Sequence, residues 1–187
     1  MRHEVLWQAT SINFKRESRM TAQPRSPLCA SLSAIPETLL VPAQHLHGGS
    51  VGARIAHGIE SSLMVAVRQP QYHSRPHRHD AEQLNYVLAG ELYVFVDGTG
   101  FLAKAGDIFR IPRNAVHWSW VQGATPCTLL ETHAPPLIGD PGVTATAVSL
   151  IEDGEAQDSM TPVSTVWPEG IDQAAVEART VGEAGIP

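Results

Sequence analysis

Cysteine is scarce in this 187-residue chain: Cys29 and Cys127 are the only two, far apart and in no C-x-x-C pair. That excludes a disulfide framework and a thiolate zinc site, and it suits a reducing cytoplasm. Basic charge is also short. With 13 Lys plus Arg against 19 Asp plus Glu, the formal charge is −6, which offers no electrostatic footprint for nucleic acid or an anionic membrane surface. No apolar run approaches the roughly 20 residues that span a bilayer. Charges at Arg2, Glu4, Lys15, Arg16, Glu17 and Arg19 fall where an export signal needs apolar residues. The expectation is a soluble, unexported, cytoplasmic protein with no nucleic-acid and no membrane partner. Met20 is a candidate start of translation, with residues 1–19 then an upstream extension.

Several chemistries lack their motifs. There is no GxGxxG, GxxxxGK[ST], GxSxG or HExxH, so nucleotide binding, serine hydrolysis and zincin proteolysis have no support. No helical pattern of 10–15 residues alternates with strands, which excludes a parallel βαβ sheet. What remains is enough apolar sequence, 43% against 17% charged, to bury the core of one domain.

Prolines at 24, 27, 36 and 42 mark residues 1–42 as a flexible N-terminal arm, with a short helical turn expected around Pro36 to Leu40. Residues 43–151 carry short β-rich runs at Leu63–Arg68, Leu84–Leu88, Glu91–Val96, Gly100–Lys104, Asp107–Ile111, Val116–Val121 and Thr128–Thr132, with one more over Val143–Ile151. This spacing predicts an antiparallel sandwich or barrel. Asp97-Gly98 is the turn signal joining two of the runs. Residues 152–187 form an acidic C-terminal segment with a short helix over Ile171–Arg179.

Three of nine histidines fall between His73 and His79. His77 and His79, two apart, project from one face of a strand and can share an ion, since neutral imidazole is a good ligand for transition metals. Parity puts Gln83 on that face and Glu82 on the other, where it is a solvated charge. His117 is the natural fourth ligand from elsewhere in the chain.

These segments resemble the two motifs of the cupin superfamily, G(x)5HxH(x)3–4E(x)6G and G(x)5PxG(x)2H(x)3N. The first is matched by His77, His79, Gln83 and Gly90, the second by Gly106, Pro112 and His117, in register, with 15 residues between Gly90 and Gly106. Gln71 and Asn114 stand where the motifs have glycine, Val121 replaces the terminal asparagine, and Gln83 replaces the glutamate. Asparagine visits the left-handed region more easily than most residues, so Asn114 suits its position.

The resemblance implies an all-β cupin-type jelly roll and one divalent transition metal ion (iron, manganese, nickel or zinc) held by His77, His79, Gln83 and His117. It also implies a homodimer. An amide oxygen cancels no charge, so the site would favour an anionic ligand. The implied function is a metal-dependent enzyme acting on a small polar, anionic metabolite by isomerase, ring-opening or dioxygenase chemistry. The alternative is a non-catalytic binding or sensor module with a vestigial site.

His73, His133 and Asn85 are catalytic candidates. Histidine titrates near neutrality, and Asn85 shares the parity of Gln83; the favoured reading of each histidine is a structural or surface one. Arg68, Arg75 and Arg110 are candidates to hold a substrate carboxylate but are read as exposed charges, and His45-x-His47 is read as a loop pair. Trp118 and Trp120 share a face that packs against a neighbouring element.

Overall fold

The computed structural model describes residues 28–137, 147–152 and 163–183. In chain order the strands are β1 (Thr38–Leu39), β2 (Leu46–Gly48), β3 (Val51–His57), β4 (Ser62–Arg68), β5 (His73–Ser74), β6 (Arg78–His79) and β7 (Glu82–Ala89). There follow β8 (Glu91–Val96), β9 (Thr99–Lys104), β10 (Ile108–Ile111), β11 (His117–Trp120), β12 (Cys127–Ala134), β13 (Val148–Ser149) and β14 (Thr165–Val166), then the α-helix α1 (Gln173–Glu183).

A period of two builds the barrel. Along β7, Gln83, Asn85 and Val87 are buried while Leu84, Tyr86 and Leu88 face outward, and β12 buries Cys127, Leu129, Glu131 and His133 in the same alternation. One sheet runs in the order β1, β3, β4, β12, β7, β10, with β13 beside β3, and the other runs β2, β5, β11, β8, β9. β14 pairs with β6 as a separate ribbon. The core between the sheets includes Val51, Ile55, Met64, Val87, Leu92 and Leu129. The architecture is an all-β jelly roll.

Two turns show why the chain reverses where it does. Asp97 and Gly98 both take positive φ, 46° and 81°, the geometry that lets Val96 pair directly with Thr99. Gly90, with φ 78° between β7 and β8, leaves no room for a Cβ against the Pro126 carbonyl. The motif positions that lack glycine keep its conformation: φ is 63° at Gln71 and 62° at Asn114. The Gln71 side chain offsets part of that strain by donating to the Gln122 carbonyl at 2.6 Å.

The structure departs from expectation in two places. The helical turn expected around Pro36 to Leu40 is extended instead, with Thr38 and Leu39 opposite Ala53 and Gly52, a path that carries Leu40 and Val41 onto the core. The strand expected over Val143–Ile151 is described only from Ala147; Val148–Ser149 forms it, and residues 143–146 lie outside the described residues. It runs parallel to β3, whereas the other described ladders are antiparallel.

The C-terminal helix covers the outer face of the smaller sheet. Asp172 accepts from the Ala175 N–H at 3.0 Å and caps α1, while Val176 packs with Tyr93, Phe95 and Trp118. A Cβ on Gly100 would strike Thr180 and Phe95, so glycine permits the close approach of helix to sheet. The element that meets the tryptophan face is therefore α1.

Candidate functional site

Three imidazoles meet at one end of the barrel interior. Backbone bonds run both ways between His77 and His117, N–H to carbonyl at 3.0 and 2.8 Å, and lock the two residues opposite each other. Their ring centroids are 4.3 Å apart, and the His79 ring lies 4.9 Å from that of His117 and 6.4 Å from that of His77. This bridge joins the two sequence segments, a contact that spacing alone does not establish.

Each ring is fixed by a backbone carbonyl at Nδ1: Arg75 for His77 at 3.0 Å, Ala81 for His79 at 3.1 Å and Ala115 for His117 at 2.9 Å. A carbonyl only accepts, so Nδ1 carries the proton and Nε2 holds a free lone pair. Burial keeps the rings neutral. It lowers the pKa of His77 to about 4 and that of His117 well below the ordinary value, and it lowers that of His79 too, against the opposing pull of the carbonyls.

Gln83 completes the donor set. Its Nε2 donates to Asn85 Oδ1 and to Glu131 Oε2, each at 2.7 Å. Glu131 can only accept, so the amide orientation is determined and Oε1 points at His79 Nε2, 3.3 Å away. Two lone-pair atoms thus face one another in a buried place, an arrangement that a cation between them relieves. Among the described residues, no three His, Cys, Asp or Glu side chains are drawn together into a formed metal cage. The chemistry of the donors nevertheless fits a divalent ion: three neutral imidazoles oriented by carbonyls, and an amide oxygen oriented by a carboxylate.

These groups open on a cavity of about 210 Å³, whose apolar wall includes Met64, Leu92, Val94, Phe109, Ile111 and Leu129. His133 and Asn85 line it, as the sequence suggests. The His133 ring is 5.4 Å from that of His79, and burial pushes its pKa well down. His73 is a correction. It faces away from the cavity onto α1, where its Nε2 meets Glu177 Oε1 at 2.7 Å and its ring stacks on Trp120, because its neighbour Ser74 takes the inward position on β5.

Arg68 is also a correction, being buried rather than exposed. It reaches along the inner face of β4 to donate to Glu131 Oε1 at 2.5 Å; burial works against its charge, but the field and hydrogen bond of Glu131, with Tyr72 and Cys127 beside it, more than offset that and raise its pKa. Arg110 does lie at the surface, paired with Glu82. His45 is more than a loop residue: it lines the cavity and stacks on Trp167, ring centroids 3.9 Å apart. Trp167 in turn lies 4.8 Å from the His77 ring, so the segment after β14 covers the histidine end.

Two of these residues carried a readable signal. Arg68 shares the parity of Met64 and Ala66, and Glu131 that of Leu129 and His133, so each is a charge at an inward position of a strand. Trp167 carried none, since its approach depends on a ribbon formed far along the chain.

Residues 64–133 match a family model described as Cupin domain. No curated protein matches the chain. Among solved structures, a cupin-like protein from Thermotoga maritima is similar at 15% identity and TM-score 0.51, over 80% of this chain and 98% of that one. A structure described as a predicted oxalate decarboxylase from the same organism is similar at 18% identity and TM-score 0.51, over 57% and 98%. An RmlC-like cupin from Shewanella frigidimarina matches at 22% identity and TM-score 0.48, over 57% and 88%. The fold is that of the cupins, and the family model matches the stretch of strands from β4 to β12 that forms most of the barrel. Among the described residues, no helix is long and apolar enough to cross a membrane.

Proposed function

We propose that this protein is a metal-dependent cupin enzyme acting on a small anionic metabolite with an apolar body. The observation that carries the reading is the orientation of the donors: three Nδ1 atoms tied to carbonyls and the Gln83 oxygen turned onto His79 Nε2. His77, His79, His117 and Gln83 would hold one divalent ion, which supplies Lewis-acid polarisation of a carbonyl or enolate, or dioxygen chemistry if it is iron. Because none of the four is charged, the ion keeps its full charge and favours an anionic oxygen on the substrate. His133, neutral and buried, holds or takes a proton at its unpartnered Nδ1. Trp167 and His45 exclude water at the histidine end, and the aliphatic wall receives the substrate body.

Elemental analysis of the purified full chain tests the reading. About one iron, manganese, nickel or zinc per chain, lost in His77→Ala and His117→Ala, supports it. Little metal after reconstitution makes the protein a binding or sensor module with a vestigial site. Iron directs the search to oxygen-dependent cleavage, and the other metals to isomerisation or ring opening.

The homodimer is part of this reading. The outer face of the larger sheet exposes Leu63, Leu84, Tyr86, Leu88 and Ile108, an apolar surface suited to a second copy. Sedimentation at monomer mass would remove it. The cytoplasmic placement rests on the free thiols Cys29 and Cys127.

A further inference from the structure

Beyond the histidines, the cavity wall carries a polar row whose cost is unexplained by folding. Gln83 and Asn85 on β7 stand opposite His133 and Glu131 on β12, and Arg68 reaches Glu131 from β4. Replacing a buried ion pair by apolar residues of similar volume is often neutral or stabilising, so this row is not what a barrel core needs for stability.

Three of its atoms are buried with no hydrogen-bond partner: Arg68 Nε, Asn85 Nδ2 and His133 Nδ1. Their residues are only 7%, 2% and 2% exposed, and all three line the cavity. Buried polar atoms in folded proteins are almost always paired, so three orphans on one cavity wall point to a group that arrives with the ligand. Two of the three are obligate donors, since the guanidinium N–H cannot accept and the Asn85 oxygen is already engaged by Gln83. The missing partner is therefore an acceptor.

Charge decides which acceptor. Arg68 is already matched by Glu131, whose two oxygens are taken by Arg68 and Gln83. A carboxylate placed there would be an unmatched buried anion beside Glu131, whereas a carbonyl oxygen satisfies the donors without adding charge. We propose that the cavity contains, beside its histidine end, a subsite for an uncharged carbonyl group whose oxygen accepts from Asn85 Nδ2 and Arg68 Nε. This rests on the reading of the cavity as a small-molecule site. The substrate class becomes a small oxo-acid type of molecule: one anionic oxygen group for the histidine end and one ketone, ester or amide carbonyl for the wall beside it.

Calorimetric titration of the full chain with levulinate, valerate and succinate tests this, with zinc-loaded and metal-free samples assayed for zinc content. Valerate exchanges the ketone of levulinate for a methylene, and succinate exchanges its terminal methyl for an anionic oxygen. Levulinate is expected to bind about ten-fold more tightly than either, as two hydrogen bonds to otherwise unpartnered donors imply. Asn85→Asp, isosteric but lacking one of the two donors, should cut the preference for levulinate over valerate to about three-fold, and Asn85→Leu gives the same readout if Asp perturbs folding. Equal binding of levulinate and valerate to the wild-type chain, tighter binding of succinate, or no binding of any probe overturns the subsite. Preference for levulinate in a protein that takes up no zinc would keep the subsite and remove the metal reading, so the two failures are distinguishable.

Discussion

Gln83 donates through Nε2 to Glu131 Oε2 at 2.7 Å, and this bond determines which atom of the amide faces His79. Where the resembled motif has a glutamate this chain has an amide, and the neighbouring carboxylate of Glu131 orients that amide.

The first prediction follows from that displacement. Gln83→Glu restores the motif residue but removes the donor to Glu131 and Asn85 and brings two carboxylates together. The metal-free variant should lose on the order of 2–4 kcal/mol of stability. Zinc should recover much of it, because an ion between His79 and the new carboxylate neutralises the repulsion. Thermal denaturation with and without zinc checks both, and a metal-free variant as stable as wild type would show that the amide orientation does not matter.

The second concerns pH. Burial lowers the pKa of His77 to about 4 and depresses His79, His117 and His133 as well. In the unfolded chain a histidine titrates near 6.5, so the native state binds fewer protons between these values and stability rises with pH. The contribution is fully present above about pH 6.5 and is lost as pH falls to about 4, on the order of 2 kcal/mol for His77 after allowance for its partial exposure. The urea midpoint of the metal-free protein should fall over this window, less steeply in His77→Gln. A midpoint independent of pH would contradict the burial of these rings.

The barrel and the common inward face of His79 and Gln83 are legible because they are local patterns. Period-two runs, the Asp97-Gly98 turn and the spacing of His77, His79 and Gln83 each depend on neighbours in sequence. Arg68 runs against its residue type, since arginine is so often exposed, although Met64 and Ala66 set its parity inward. His73 was misplaced for a different reason: β5 is two residues long, too short to fix a face by alternation, and its partner Glu177 lies 104 positions away. The covering of His77 by Trp167 depends on the pairing of β14 with β6 and left no local trace.

The third prediction uses the buried ion pair. Glu131→Leu leaves the Arg68 guanidinium without its carboxylate and frees the Gln83 amide, and it should cost on the order of 3–5 kcal/mol. Arg68→Met combined with Glu131→Leu should recover most of that loss, since both charges are then gone from the cavity wall. Denaturant titration of the two single variants and the double variant yields the coupling directly. A double variant as unstable as Glu131→Leu alone would mean that the pair stabilises the barrel and is not kept for the cavity.

The fourth concerns the helix on the opposite face. Glu177 Oε1 accepts from Trp118 Nε1 at 2.9 Å and from Gln173 Nε2 at 2.8 Å, and it lies 2.7 Å from His73 Nε2, so one carboxylate ties α1 to the smaller sheet. An isolated helix of 11 residues is marginal in water and depends on such packing. Glu177→Ala leaves the Trp118 N–H in a buried place without a partner, at a cost of about 1–3 kcal/mol, and should release the helix before the barrel. Amide exchange over residues 173–183 should accelerate while exchange in β7 and β12 stays slow, and tryptophan emission should shift to the red. Because α1 lies outside the barrel, the zinc content should not change. Loss of zinc together with the helix would instead mean that the segment carrying Trp167 is held over the histidines by α1, coupling the tail to the site.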